Sequence, residues 1–253
     1  DDYYVHRRSM SSGVKNGTLI AERGTIRAVY KYAIDRGMIH YLSLPLFPPL
    51  KKGKEQRRLI DVDEYRTIYQ CLRSPEFLKD CDRQDQIFRR QLLYLTLVLA
   101  NTGMRIGECR RLLWGNILKI HKSKGKKRSQ WSVEILLDAD QTKNKKERKV
   151  QGRRGDVFVD LRKLTDFISN DDPVFADFDT GEHLLEVHKH KIYNHWNEML
   201  KITSLDKHKE PPTFYHLRHF YATQRLLAGV RPYFLKENMG CSLKYLEDHY
   251  GHV

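Results

Sequence analysis

Cysteine is scarce in this chain of 253 residues: there are four, Cys71, Cys81, Cys109 and Cys241, and no two form a C-x-x-C pair. That excludes a finger-type zinc site and a disulfide framework, and suits thiols kept reduced in the cytoplasm, the expected compartment. Long apolar runs are lacking as well. None approaches the roughly 20 residues a membrane helix requires, so neither a membrane partner nor a signal peptide is expected. His183, His188, His190 and His195 include an H-K-H, but their spacing matches no standard metal site. No metal and no cofactor are expected. There is no internal repeat, and low complexity is confined to short lysine runs. Acidic residues are outnumbered, 32 against 46 Lys and Arg, for a formal charge of +14. The surplus is uneven: Lys119–Lys163 holds 15 Lys and Arg against 6 Asp and Glu. Such a basic stretch predicts a polyanionic partner, with nucleic acid ahead of an acidic membrane.

What is present reads as mainly helical. LIAERGTIRAVYKYAIDRGMI (19–39) has Ile26, Val29, Tyr30 and Ala33 at helical spacing, with a basic stripe of Arg23, Arg27 and Lys31. That stripe is either a solvated face or a surface laid along DNA phosphates. A Pro- and Gly-bearing, cation-rich stretch follows (43–58), within which residues 46–58 read as a linker. Beyond it, Asp61 or Asp63 supplies cap chemistry for a helix, and RQLLYLTLVLANTG (90–103) is an apolar core helix stopped by Gly103. RIGECRRLLW restarts as a helix. Three strand-like runs, 116–122, 130–137 and 147–151, are joined by Lys-rich turns and predict a small antiparallel sheet. Helical pattern resumes at 161–169, 187–201, 217–228, 232–238 and 242–250. The expected class is α with one small antiparallel β-sheet (α+β). Trp114 and Trp131 are expected in the core. The KSKGKKR run, with Lys122 and Lys124, reads as a hairpin tip that tracks phosphates without reading sequence.

Arg218 and His219 stand near the head of an apolar helix, where the free N–H groups already carry partial positive charge. Cations there suggest an anion to bind. Arg105 follows a glycine turn at another helix start, Lys143 lies in a strand-to-strand turn, and Tyr250 ends a short terminal helix. Two planar guanidinium forks, an amine and a phenol suit phosphoryl transfer. The forks clamp non-bridging oxygens, the lysine protonates a leaving oxygen, and the tyrosine attacks phosphorus.

Four boxes in order, TGMRIGE, TKNKKERKV, YHLRHFYAT and MGCS…HYGHV, resemble those of the tyrosine recombinases, the phage-integrase family. That family commonly reads T-G-x-R-x-x-E, T-K-x…R-x-V, H-x-L-R-H-x-x-A-T and L-G-H-S…Y-x-H. The nine-residue step from Cys241 to Tyr250 equals the family's usual step from third box to nucleophile. The resemblance covers residues 59–253, read as the catalytic domain, while residues 1–45 look like the end of the family's helical DNA-clamping (core-binding) domain, incomplete here.

The resemblance implies roles. Arg105 and Arg218 would hold the scissile phosphate, Lys143 would be the general acid, and Tyr250 would form a 3′-phosphotyrosyl link. Glu108 would orient Arg105 from behind. Tyr215 stands where the family commonly has His, and Cys241 where it has His or Trp. Tyrosine is a poor base at neutral pH and cysteine a weak donor. His219, His249 and His252 are further candidates for carrying a proton, though packing is the commoner role of such residues. The expected activity is site-specific recombination or integration on double-stranded DNA, by a homo-tetramer with two protomers per site, in a bacterial, phage or mobile-element setting. The alternatives are a repressor of the same fold that has lost catalysis, and a type IB topoisomerase.

Overall fold

The computed structural model describes residues 2–11, 13–51, 58–79, 81–122 and 127–251. The chain forms two compact units, Asp1–Gln56 and Arg57–Val253. In the first, α1 (Asp2–Met10) and α2 (Asn16–Asp35) are tied by the Tyr3 hydroxyl and Arg7 Nε, which both donate to Glu22, at 2.9 and 3.1 Å. Among its described residues only Tyr4 and Leu19 are buried hydrophobics. The expected apolar stripe is incomplete: Ile26, Tyr30 and Ala33 are half-buried, but Val29 is 62% exposed. Arg23 is half-buried and points a guanidinium N–H at the Pro48 carbonyl, while Arg27 and Lys31 are exposed.

The second unit opens with α3 (Val62–Arg73), started by a reciprocal cap: Asp61 accepts the Glu64 N–H at 2.7 Å, and Glu64 accepts the Asp61 N–H at 3.1 Å. Then come α4 (Pro75–Lys79), α5 (Arg83–Thr102) and α6 (Ile106–Arg110). The strands follow, β1 (Ile117–His121), β2 (Ser132–Leu137) and β3 (Arg148–Arg153). The rest is helical: α7 (Asp156–Leu161), α8 (Leu184–Val187), α9 (Lys189–Ile202), α10 (Phe214–Leu227), α11 (Pro232–Met239) and α12 (Leu243–Tyr250). Among the described residues no helix is long and apolar enough to cross a membrane.

Helix α5 is the axle. Phe88, Leu92, Leu95, Val98, Leu99 and Thr102 are all buried, because α3, α7, α9, α10 and β3 pack around it. The sheet runs β1-β2-β3, antiparallel throughout, with Val133 opposite Gly152 and Ile135 opposite Val150. Val133, Ile135 and Leu137 alternate inward with Ser132, Glu134 and Leu136, the period-two pattern of a sheet with one buried face.

Gly103 ends α5 at φ 69°, a left-handed cap that glycine adopts without penalty. A Cβ there would lie 2.3 Å from the buried Tyr221 ring. Gly103→Ala is therefore expected to destabilise the fold by about 2–4 kcal/mol, from the left-handed backbone plus overpacking. A fall in the urea unfolding midpoint at unchanged slope measures it.

Four sequence expectations about the fold need correction. Residues 161–169 are not a helix: α7 lies earlier, and the chain then turns. Thr165 Oγ1 accepts the Phe167 N–H, Asp172 accepts the Ser169 N–H, and Trp114 Nε1 donates to the Phe167 carbonyl at 3.0 Å. Short polar side chains offer the backbone an alternative to helix, and a distant indole secures it. The segment 187–201 is two helices broken at His188, and the RIGECRRLLW helix stops at Arg110, where Leu112 accepts the Val174 N–H at 2.8 Å. Trp114 is core, but Trp131 is half-exposed, with Lys122 and Arg128 5.5 and 5.4 Å from its ring.

Candidate active site

Helix α6 starts at Arg105, which sits outside the helix as its N-cap. Three residues on, Glu108 reaches back to accept the Arg105 N–H at 2.7 Å and its guanidinium at 2.9 Å. The same carboxylate takes both terminal nitrogens of Arg148, at 3.0 and 2.7 Å, in a bidentate fork from β3. Glu108 is 2% exposed. Burial opposes its ionisation, but Arg148 and Arg105 outweigh that and hold its carboxyl below the usual range.

Arg218 was expected at a helix start. Helix α10 begins at Phe214, capped by Thr213 and His216, so Arg218 lies a turn inside. Its charge is balanced elsewhere. One terminal nitrogen donates to the Gly103 carbonyl at 2.6 Å, the other to the Met239 carbonyl at 2.8 Å. Arg105 donates to the next carbonyl, Gly240, at 2.7 Å. These are the oxygens at the C-terminal turns of α5 and α11, where orphaned carbonyls and the helix dipole favour cations. Arg218 is 2% exposed, and its Nε is buried with no acceptor among the described residues. Burial, then the like charge of Arg105, pushes its pKa below the ordinary guanidinium value.

A cavity of about 190 Å³ opens beside these groups, lined among others by Arg105, Thr142, Lys146, Arg148 and Cys241. Burial raises the Cys241 thiol pKa, against the opposing charges of Arg218, Arg105 and Arg148. Lys143 lies in the β2–β3 loop as expected, but is exposed and does not line this cavity; Lys146 does. Thr142 pins the loop through its hydroxyl, which accepts the Lys146 N–H at 3.1 Å.

Tyr250, the last residue of α12, is 3% exposed, and its hydroxyl bonds His219 Nδ1. Burial, then the neighbouring Tyr245, drives the phenol pKa above its ordinary value, while Arg218 pulls the other way. The Tyr215 hydroxyl meets that of Tyr245 at 2.9 Å, and both tyrosines lie near enough to Tyr250 to raise its phenol pKa. Arg105, Cys241, Tyr215 and Tyr250 thus all lie within electrostatic reach of Arg218.

Other expected binding residues fall elsewhere. Arg23, Arg27 and Lys31 belong to the first unit. Lys122 is exposed beside Trp131, and Lys124 and His252 lie outside the described residues. Of the four histidines, His188 pairs with Asp177, and His195 with Arg89 and Glu198. Arg148 was passed over, although it is the arginine of the R-x-V in the second box. Asn238, also missed, donates to the Thr102 carbonyl and accepts the Gln151 N–H, tying α11 to α5 and β3.

A mainly helical domain with one three-stranded antiparallel sheet, folded so that the ends of its helices gather these groups, has the fold of tyrosine recombinase catalytic domains. The Phage integrase family model matches residues 58–253, and the chain belongs to that family. Among solved structures, XerH site-specific recombinase bound to difH substrate aligns at TM-score 0.66 and 15% identity, over 96% of this chain and 63% of that one. A lambda integrase (75–356) dimer bound to a COC′ core site aligns at 0.62 and 16%, over 96% and 83%. The Tn1549 transposon integrase with circular intermediate DNA aligns at 0.60 and 16%, over 99% and 80%. The chain thus spans less than two thirds of the XerH chain. No curated protein sequence matched it.

Proposed function

We propose that this protein is a site-specific DNA recombinase that cuts and rejoins strands through a 3′-phosphotyrosyl link on Tyr250. One observation carries the reading: three arginines, 105, 148 and 218, surround one buried carboxylate, Glu108, and leave an excess of positive charge away from water. A phosphodiester supplies the missing anion, and the unmatched Arg218 Nε donor is one place for its oxygen. In a pentacoordinate transition state the phosphoryl oxygens gain charge, so donors already fixed by backbone carbonyls stabilise it without reorganising. The Tyr250 oxygen attacks phosphorus and the 5′-oxygen leaves. Lys143 protonates that oxygen once DNA draws its loop inward. The energy of the broken bond stays in the phosphotyrosine, so rejoining needs no other reactant.

The relatives named above were solved on DNA, one of them as a dimer on its core site. By that analogy the partner is duplex DNA with specific sites, bound by a homo-tetramer with two protomers per site. A second reading, a repressor of the same fold, is favoured by the burial of Tyr250, by Tyr215 in place of the usual His and by Cys241 in place of the usual His or Trp.

A nicked suicide substrate separates the two. The recombinase reading expects a detergent-resistant protein–DNA adduct, mapped to Tyr250 by peptide sequencing. Salt-sensitive binding without adduct supports the repressor, and supercoil relaxation without recombinant products a topoisomerase.

A further inference from the structure

We propose that His219 is the proton acceptor for Tyr250, taking over the part left vacant where Tyr215 replaces histidine. This rests on the recombinase reading. The phenol of Tyr250 bonds His219 Nδ1, and both side chains are buried, His219 at 1% exposure. Ring centroids lie 5.5 Å apart, against 6.3 Å for His249 and Tyr250. His216 is occupied otherwise, its Nδ1 accepting from Thr213 at the helix cap. Tyr215 points its hydroxyl at Tyr245.

Adjacent residues on a helix diverge by about 100°. Arg218 can therefore face the Gly103 and Met239 carbonyls while His219 faces α12. One turn of α10 so carries a phosphate clamp and a base in fixed relation. A phenol whose pKa is raised needs such a base, since it holds its proton at neutral pH.

The step balances. The Tyr250 O–H bond breaks as its oxygen bonds phosphorus, and the proton passes to Nδ1 of a neutral His219, giving imidazolium. The phosphorus–5′-oxygen bond breaks, and that oxygen takes its proton from the general acid. On rejoining, the departing phenolate recovers the proton from His219.

Other titratable groups facing His219 are Tyr215 and His216 on its own helix and Tyr245, His249 and Tyr250 from α12, with Arg218 next in sequence. The test therefore pairs a pH profile with a variant. Single-turnover cleavage of the nicked substrate by the wild-type chain is expected to fall on acidification between about pH 8 and about pH 5, as the imidazole loses its capacity to accept. His219→Asn retains an acceptor near the Nδ1 position but takes no proton. It is expected to cleave about 100-fold more slowly and to lose the acid limb, with DNA affinity and melting temperature near wild type.

A substrate with sulfur in place of the bridging 5′-oxygen releases a thiolate that needs no acid. It is expected to restore Lys143→Ala but not His219→Asn. A flat wild-type profile, wild-type cleavage by His219→Asn, or its rescue by the sulfur substrate each overturns the assignment of His219. The flat profile does so even if the variant misfolds. Absence of any adduct with the wild-type chain overturns the recombinase reading, and His219 with it.

Discussion

Tyr250→Phe is expected to form no covalent adduct with a nicked DNA substrate, while binding the same DNA within about threefold of the wild-type chain. The substitution removes one oxygen, and that oxygen is the nucleophile. Phosphate affinity comes from cations, and Arg105 and Arg218 are braced by Glu108 and by backbone carbonyls, none of which touches the phenol. The hydroxyl is buried on His219 Nδ1, so its loss leaves an imidazole nitrogen short of a partner and costs about 1–2 kcal/mol of stability. Denaturing gels, gel-shift titration and thermal melts read the three quantities. Tyr245→Phe is the control: Tyr245 also lies near Tyr250, so retained adduct there and loss at 250 identify the attacking oxygen. Adduct surviving in Tyr250→Phe moves the nucleophile elsewhere.

Glu108→Ala is expected to be the most damaging change to the fold, by about 3–5 kcal/mol, because it leaves two guanidinium groups half-buried without their shared counter-charge. Glu108→Gln cannot serve both arginines either, since an amide offers one acceptor oxygen to two forks. The pH dependence follows from the carboxyl being held below its usual pKa. Its stabilisation is fully present above the unfolded value, about 4.3, and is lost as pH falls through the lower folded value. Wild-type melting temperature should therefore drop on acidification below about pH 4, and the part due to Glu108 should be missing from Glu108→Gln. Equal acid sensitivity in the two chains refutes this account. Activity is expected to fall more than stability, because both arginines lose their aim together.

Much of the frame was legible in the sequence because it is written locally. A helix cap at Asp61 or Asp63, which the structure gives to Asp61, the apolar run of α5 ending at Gly103, and the strand-like run of β2 are short-range patterns. The misses share a cause at longer range. Residues 161–169 lose their helix to a bond from Trp114, over forty residues upstream. Trp131 precedes β2 at the outer face, a placement set by register and invisible in composition. Of the site, the boxes marked Arg105, Arg218, Lys143 and Tyr250, but not how each is held. That Glu108 would serve a second arginine from β3, and that His219 would meet Tyr250 from another helix, are facts of tertiary approach. Lys143 is where its turn predicts, exposed on the β2–β3 loop and not among the residues lining the cavity beside the arginines.

The oxygens that grip Arg105 and Arg218 belong to peptide groups, not to side chains. Point mutation can swap any residue at 103, 239 or 240, but cannot delete a carbonyl. Inherited variation there acts by reshaping a bend, so the anchoring of both forks can outlast extensive divergence in the letters around it. Glu108 has no such insurance, and a single codon change is enough to undo it.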